Sequence, residues 1–148
     1  MPALIGKYEY SLDPKNRMFI PPRYRTHLAE EKGLHFILSL GLDQCLYLFL
    51  PSQWERLISD NQSSGSIKDK RKLRAFKRQL FSSAIEAPLD DQGRILIPPS
   101  LMDHAGLGKE VIVAGTGTKA EIWDKRRWSA KEKVERKVLQ QLSADLDI

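Results

Sequence analysis

Single polar residues separate Tyr8, Tyr10 and Leu12, the period-two alternation of a half-buried strand. An Asp-x-x-x-Arg segment, Asp13 to Arg17, then turns the chain, and Met18-Phe19-Ile20 resumes as a second short strand. Pro21-Pro22 stops that strand and presets the start of a short helix, about Arg23 to Glu31. Two apolar runs, Phe36–Leu40 and Leu46–Leu50, flank Gly41-Leu42-Asp43-Gln44 as the strands of a hairpin, and a helix with Trp54 in its first turn follows. The same order returns later. Ile95-Leu96-Ile97 meets Pro98-Pro99, a helix spans about Ser100 to Ala105, and strands at Val111–Ala114 and Ala120–Trp123 enclose Gly115-Thr116-Gly117-Thr118 before Trp128.

The return is a true repeat. Residues 12–24 read LDPKNRMFIPPRY and residues 89–101 read LDDQGRILIPPSL, with six of thirteen positions identical at an offset of 77. Ordinary residue frequencies would supply roughly one. Glu9/Glu86 and His27/His104 extend the match at that offset. At an offset of 74, Ile37-Leu38 aligns with Val111-Ile112, Gly41 with Gly115 and Trp54 with Trp128. Equivalent apolar positions such as Ile20/Ile97 and Leu38/Ile112 predict one shared core with a pseudo-two-fold axis, because neither half covers its own sheet. Between the copies, Ser63-Ser64-Gly65-Ser66 reads as a flexible break, and Leu73, Phe76 and Leu80 recur at helical spacing. Ser129 is the expected cap of a last helix striped by Val134, Val138 and Leu142, with Ser143 to Ile148 expected to fray.

Composition narrows the function classes. Of 148 residues, 41% are hydrophobic and 29% charged, ordinary for a globular chain, and the net charge of +5 permits a polyanionic partner without requiring one. One cysteine excludes an internal disulfide framework and Cys-based zinc fingers. The longest apolar run, Leu46 to Leu50, is far too short to span a bilayer, and Met1 to Tyr8 lack a signal-peptide pattern, so a cytoplasmic location is expected.

Catalytic chemistry is sparse. Of the three histidines, His27 and His104 hold equivalent positions near the ends of short helices, and neither has a second His or Cys at metal-ligand spacing. Cys45, ahead of an apolar run, reads as a buried small hydrophobe, and no phosphate-binding glycine loop occurs. Asp90-Asp91 is a carboxylate pair that the first copy lacks, since Pro14 stands where Asp91 would be. No catalytic residue, metal or cofactor is expected.

The Asp-x-x-x-Arg loop is the feature present twice. Its Asp13 or Asp90 carboxylate can accept from backbone N–H groups two or three residues on, and Asn16 and Gly93 tolerate the positive φ such a turn uses. The turn itself does not call for an arginine. Either Arg17 and Arg94 form local ion pairs with those carboxylates, worth little if exposed, or each guanidinium projects toward phosphate or the O6/N7 edge of guanine. In the first copy Lys7, Lys15, Arg23 and Arg25 would add phosphate-contacting charge. The second offers only Arg94 and Lys119. The Lys68–Arg78 run, with four Lys and three Arg, reads first as a solvated helix face.

Taken together, GKYEYSLDPKNRMFIPPRYR, LGLDQCLYLFLPSQWERL, EAPLDDQGRILIPPSLMDHAGLGKEV and EIWDKRRW resemble the MraZ family, bacterial transcriptional regulators associated with the division and cell-wall gene cluster. The resemblance covers roughly residues 4 to 140. The wider superfamily is similar to AbrB, whose swapped-hairpin barrel places loop arginines against DNA. The resemblance implies an α+β fold of tandem β-loop-β-α-β-β units forming an AbrB/MraZ-like double-split barrel with helices outside. The implied divisions are a first SpoVT-AbrB-like repeat at 5–60, a linking helix at 61–82, a second repeat at 83–128, and a C-terminal helix and tail at 129–148. It further implies Asp13 to Arg17 and Asp90 to Arg94 as DNA-facing loops, with Arg17 and Arg94 the main readers. The first motif departs from the family's usual Gly-Arg ending, having Asn16-Arg17. The implied function is a nucleoid-associated repressor, a ring-shaped homo-oligomer on short direct repeats in double-stranded DNA of its own promoter region, with no membrane and no small-molecule substrate. A scaffold whose basic loops dock an acidic protein, and an enzyme, are the competing classes.

Overall fold

Strands from the two copies cross over into shared sheets. In the computed structural model, which describes residues 2–62 and 68–148, the first copy supplies β1 (Lys7–Ser11), β2 (Arg17–Phe19), α1 (Pro22–Glu30), β3 (His35–Leu40), β4 (Leu46–Phe49) and α2 (Pro51–Gln62). After α3 (Lys70–Ser83), the second copy supplies β5 (Ile85–Pro88), β6 (Arg94–Leu96), α4 (Pro99–Ala105), β7 (Glu110–Gly115), β8 (Ala120–Asp124) and α5 (Lys125–Leu146). The serine-rich stretch at 63–66 lies outside the described residues. An antiparallel six-stranded sheet runs β1-β7-β8-β4-β3-β5, and β2 pairs with β6 as a separate antiparallel ribbon. Thus β1 of the first copy pairs with β7 of the second, and β5 of the second with β3 of the first. The pseudo-two-fold axis passes through the cross-strand pairs Met18–Ile95 and Tyr47–Glu121, whose members are equivalent residues of the two copies.

One continuous core fills the space between the six-stranded sheet and the ribbon. Phe36, Leu38, Leu48, Val111, Val113 and Ile122 face it from the sheet, Met18, Ile20, Ile95 and Ile97 from the ribbon, and Tyr24, Leu28 and Leu101 from α1 and α4. Each such side chain contributes about 1.5–3 kcal/mol by leaving water, and no half retains its set alone. The sheet's other face carries Cys45, Ile112, Ala114 and Trp123. Here α2 and α5 play equivalent parts: Trp54 packs edge-on to Phe49 at 5.1 Å between ring centroids, and Trp128 edge-on to Trp123 at 5.9 Å. Cys45 is fully buried; its thiol donates to the Leu42 carbonyl, and desolvation pushes its pKa up to about 12.

Two sequence expectations need correction. Leu38 corresponds to Val113 rather than Ile112. The β3–β4 connection is one residue longer than that between β7 and β8, so the offset of 74 that holds for β4/β8 becomes 75 before the turn. A one-residue slip exchanges the faces of a strand, which is why Ile112 points away from the main core. The last helix also starts earlier than Ser129. Asp124 ends β8 in extended geometry and its carboxylate accepts from the Arg126 N–H, so the Trp128 helix and the valine-striped helix are one, and it stays helical through Leu146. The short helices do follow their prolines: Pro22 and Pro99 open α1 and α4, and α4 closes on Gly106 at φ +57°.

Candidate nucleic-acid interface

Each Asp-x-x-x-Arg loop folds around its own carboxylate. In the first, Asp13 Oδ1 accepts from the Lys15 and Arg17 backbone N–H groups at 2.9 and 2.8 Å, while Oδ2 accepts from Arg17 Nε at 2.6 Å. In the second, Asp90 Oδ1 accepts from Gln92 and Arg94 N–H, both at 2.9 Å, and Oδ2 from Arg94 Nε at 2.8 Å. The backbone closes identically: Asp13 N–H donates to Arg17 O and Asp90 N–H to Arg94 O, at 3.1 and 2.8 Å. The tight turn places Asn16 at φ +62° and Gly93 at φ +82°. The backbone N–H groups of Arg17 and Arg94, foremost among several donors, hold the two carboxyls below the usual carboxylate range.

The ion-pair reading therefore holds for both arginines, and it fixes where each guanidinium stands. Nε and the backbone fasten each arginine to its aspartate, which fixes the plane of the guanidinium; the terminal nitrogens of Arg17 are left as an open edge, while Arg94 Nη1 also reaches the Asp13 carboxylate. Arg17 makes no hydrogen bond through those nitrogens among the described residues, and its side chain is 34% exposed. Arg94 is more enclosed, 16% exposed, with Nη1 3.5 Å from Asp13 Oδ2 and its guanidinium 5.7 Å above the Phe19 ring. Strand alternation in the ribbon turns Met18 and Ile95 inward and places Arg17, Phe19, Arg94 and Leu96 on the outer face.

The supporting cations are distributed differently from the sequence expectation. Lys15 is exposed on the first loop and Arg23 on the first turn of α1. Arg25 lies against the second loop, where a Cβ on Gly93 would come 2.6 Å from its Nη1, and its Nε donates to the Ile20 carbonyl at 3.2 Å. At the first loop the second copy supplies Met102 and Lys109, which line a hollow with Asp13 and Asn16. Helix α1 thus buttresses the second loop and α4 the first. Lys7 does not join the loops: it opens β1 and pairs with Glu132 of α5 at 3.4 Å. Lys119 lies over the Tyr47 ring at 4.7 Å, on the sheet face away from the ribbon. Sequence reasoning missed Lys109 and the exposed pair Phe19 and Leu96. Period-two spacing from Arg17 and Arg94 was the available signal for that pair.

Each histidine has one ring nitrogen at a partner: His27 Nδ1 lies 3.4 Å from Glu30, His35 Nε2 2.7 Å from Glu86, and His104 Nε2 3.0 Å from the Gly41 carbonyl; His35 Nδ1 is buried without a hydrogen-bond partner among the described residues. Among the described residues no group of three or more His, Cys, Asp or Glu is placed to hold a metal ion, and no helix is long and apolar enough to cross a membrane.

A family model described as MraZ protein, putative antitoxin-like, matches residues 3–76 and 80–145, one segment for each copy. The chain belongs to the MraZ family. Proteins named Transcriptional regulator MraZ are similar to it over most of its length. That of Heliobacterium modesticaldum is 40% identical over 125 residues, 84% of this chain and 83% of its own. That of Alkaliphilus oremlandii is 44% identical over 124 residues, 84% and 82% of the two chains, and that of Clostridium acetobutylicum 42% over 124, 84% and 83%. For this MraZ-family chain, the crossed strands are consistent with a tandem-duplicated AbrB-like fold.

Proposed function

We propose that the chain is a sequence-specific DNA-binding transcriptional regulator, with Arg17 and Arg94 as the base-reading residues and Asp13 and Asp90 as their supports. The observation that carries this reading is the pair of pseudo-symmetric, carboxylate-fastened guanidiniums on one outer face of the ribbon. A planar donor edge held in a fixed orientation suits the two acceptors of guanine, and Lys15, Arg23, Arg25 and Lys109 supply phosphate contacts around it. Asn16 and Gly93 shape the loops rather than touch bases. Lys7, tied to Glu132, takes no part in that surface. The relatives' name, transcriptional regulator, supports the same class and no enzymatic one.

The finer reading is a nucleoid-associated repressor of its own division and cell-wall gene cluster, bound as a ring to short direct repeats upstream of it. The two SpoVT-AbrB-like repeats are assigned to 5–60 and 83–128. Self-association is supported by α5, on which Val134, Val138 and Leu142 are exposed, and several loops acting together would turn weak contacts into avidity. The test is a salt titration of binding to a duplex from the chain's own upstream region, beside a scrambled duplex. A regulator prefers the first at every salt concentration while both affinities fall steeply. Equal, weak binding to both would refute specific recognition, and a monomer by light scattering at micromolar concentration would refute the ring.

A further inference from the structure

The outer face of the β2–β6 ribbon leaves two large apolar side chains uncovered, Phe19 at 41% and Leu96 at 58% exposure. They are equivalent residues of the two copies, and they alternate with Met18 and Ile95, which are buried. In the cross-strand register Leu96 stands opposite Arg17 and Phe19 opposite Arg94. Each fastened guanidinium therefore has an apolar neighbour on its own face, at the same place in both halves. Exposed apolar surface of this kind gains stability only when something removes it from water.

We propose that Phe19 and Leu96 contact thymine 5-methyl groups in the major groove, beside the guanines read by Arg17 and Arg94; this deepens the DNA-binding reading and rests on it. Charge favours a duplex over an apolar protein partner, because Lys15, Arg23, Arg25 and Lys109 surround the pair, while the Arg17 and Arg94 charges are offset by Asp13 and Asp90. Shape agrees, since the major groove admits a two-stranded ribbon. Symmetry agrees as well: the axis through Met18 and Ile95 relates the two halves of this face as a local dyad relates the strands of DNA. Along that groove the thymine methyl is the distinctive apolar group, so an Arg with an apolar neighbour is suited to a guanine with a nearby thymine.

The test begins with the duplex that the wild-type chain selects from a random-sequence pool. A second version carries deoxyuridine in place of every thymine, which removes the methyl groups and keeps all hydrogen-bonding edges. Wild type is expected to bind the uracil version about four-fold more weakly for each thymine methyl that Phe19 or Leu96 covers, with larger factors if several loops engage together. The Phe19→Ala/Leu96→Ala variant is expected to remain folded with a melting temperature lowered by no more than a few degrees, and to bind the two versions equally. Equal binding of both by wild type overturns the proposal, as does a double variant that keeps the full preference for thymine. Phe19 acting solely as a support for Arg94 would give the latter result, weakening both versions by one factor. If wild type selects no duplex from the pool, the DNA-binding reading itself fails, and this inference with it.

Discussion

Replacing Gly93 by alanine tests both the loop geometry and the placement of Arg25. Gly93 is buried at φ +82°, and a Cβ there would lie 2.6 Å from Arg25 Nη1 and 3.0 Å from its Cζ. The left-handed conformation costs an L-residue about 1–2 kcal/mol. Arg25 can swing aside, because the clash is with the end of a flexible side chain, but it then gives up the hydrogen bond from Nε to the Ile20 carbonyl, worth about 1 kcal/mol. The sum is about 2–3 kcal/mol, which for a domain of this size lowers the melting temperature by about 4–12 °C. Calorimetry of four proteins measures it: wild type, Gly93→Ala, Arg25→Ala and the double variant. In the Arg25→Ala background the cost of Gly93→Ala should shrink to the conformational part, a coupling near 1 kcal/mol. An unchanged melting temperature for Gly93→Ala would refute the left-handed turn. An equal cost in both backgrounds would refute the packing of Arg25 on the second loop.

Arg94→Lys keeps the charge but cannot both hold Asp90 and offer a planar donor edge; preference for the upstream duplex over the scrambled one should drop by at least about ten-fold while the salt slope stays, and competition binding measures both. The Asp13 and Asp90 carboxyls are held low in the folded chain, chiefly by the Arg17 and Arg94 backbone N–H groups, so their stabilisation is complete above the unfolded-state pKa and is lost as pH falls through the lower folded value. The Arg17 and Arg94 amide resonances should therefore hold position through the ordinary carboxylate range and move only at more acid pH; movement within that range would contradict the bonds described. Gly115→Ala would set a Cβ 2.5 Å from Ile5 Cα and N, pressing the backbone next to the buried Leu4 out of place. A loss of about 1–3 kcal/mol in urea unfolding is expected, and no change would show that this close approach is absent.

The duplicated motif already identified most of the elements because its signals are local: alternation around Tyr8 and Tyr10, paired prolines that stop β2 and β6, and a left-handed position at Asn16 and Gly93. The shared core around Ile20 and Ile97 followed from the same repeat. What escaped was non-local. Pairing of β1 with β7 joins residues about a hundred positions apart, and nothing near Lys7 announces that Ala114 lies opposite it. Lys7 looked like a loop cation until α5 brought Glu132 to it, and Arg25 looked like a partner of its own loop until α1 crossed to the other. The turn after β7 is shorter by one residue, too small a change to see against matching glycines, yet enough to misplace Ile112.

Because the crossed halves are joined in one chain, they need not remain copies. A symmetric pair of separate subunits must present the same residue at both equivalent places, whereas here Arg25 stands against one loop and its counterpart Met102 beside the other, and Asn16 occupies the turn position that Gly93 holds in the other loop. The molecule therefore has a front and a back along the ribbon, though its scaffold has neither. A partner laid across that ribbon meets Arg25 at one end and Met102 beside Lys15 and Lys109 at the other, and reversing it is a different complex with a different energy. Joining the halves in one chain gives a two-fold scaffold a surface with a sense of direction.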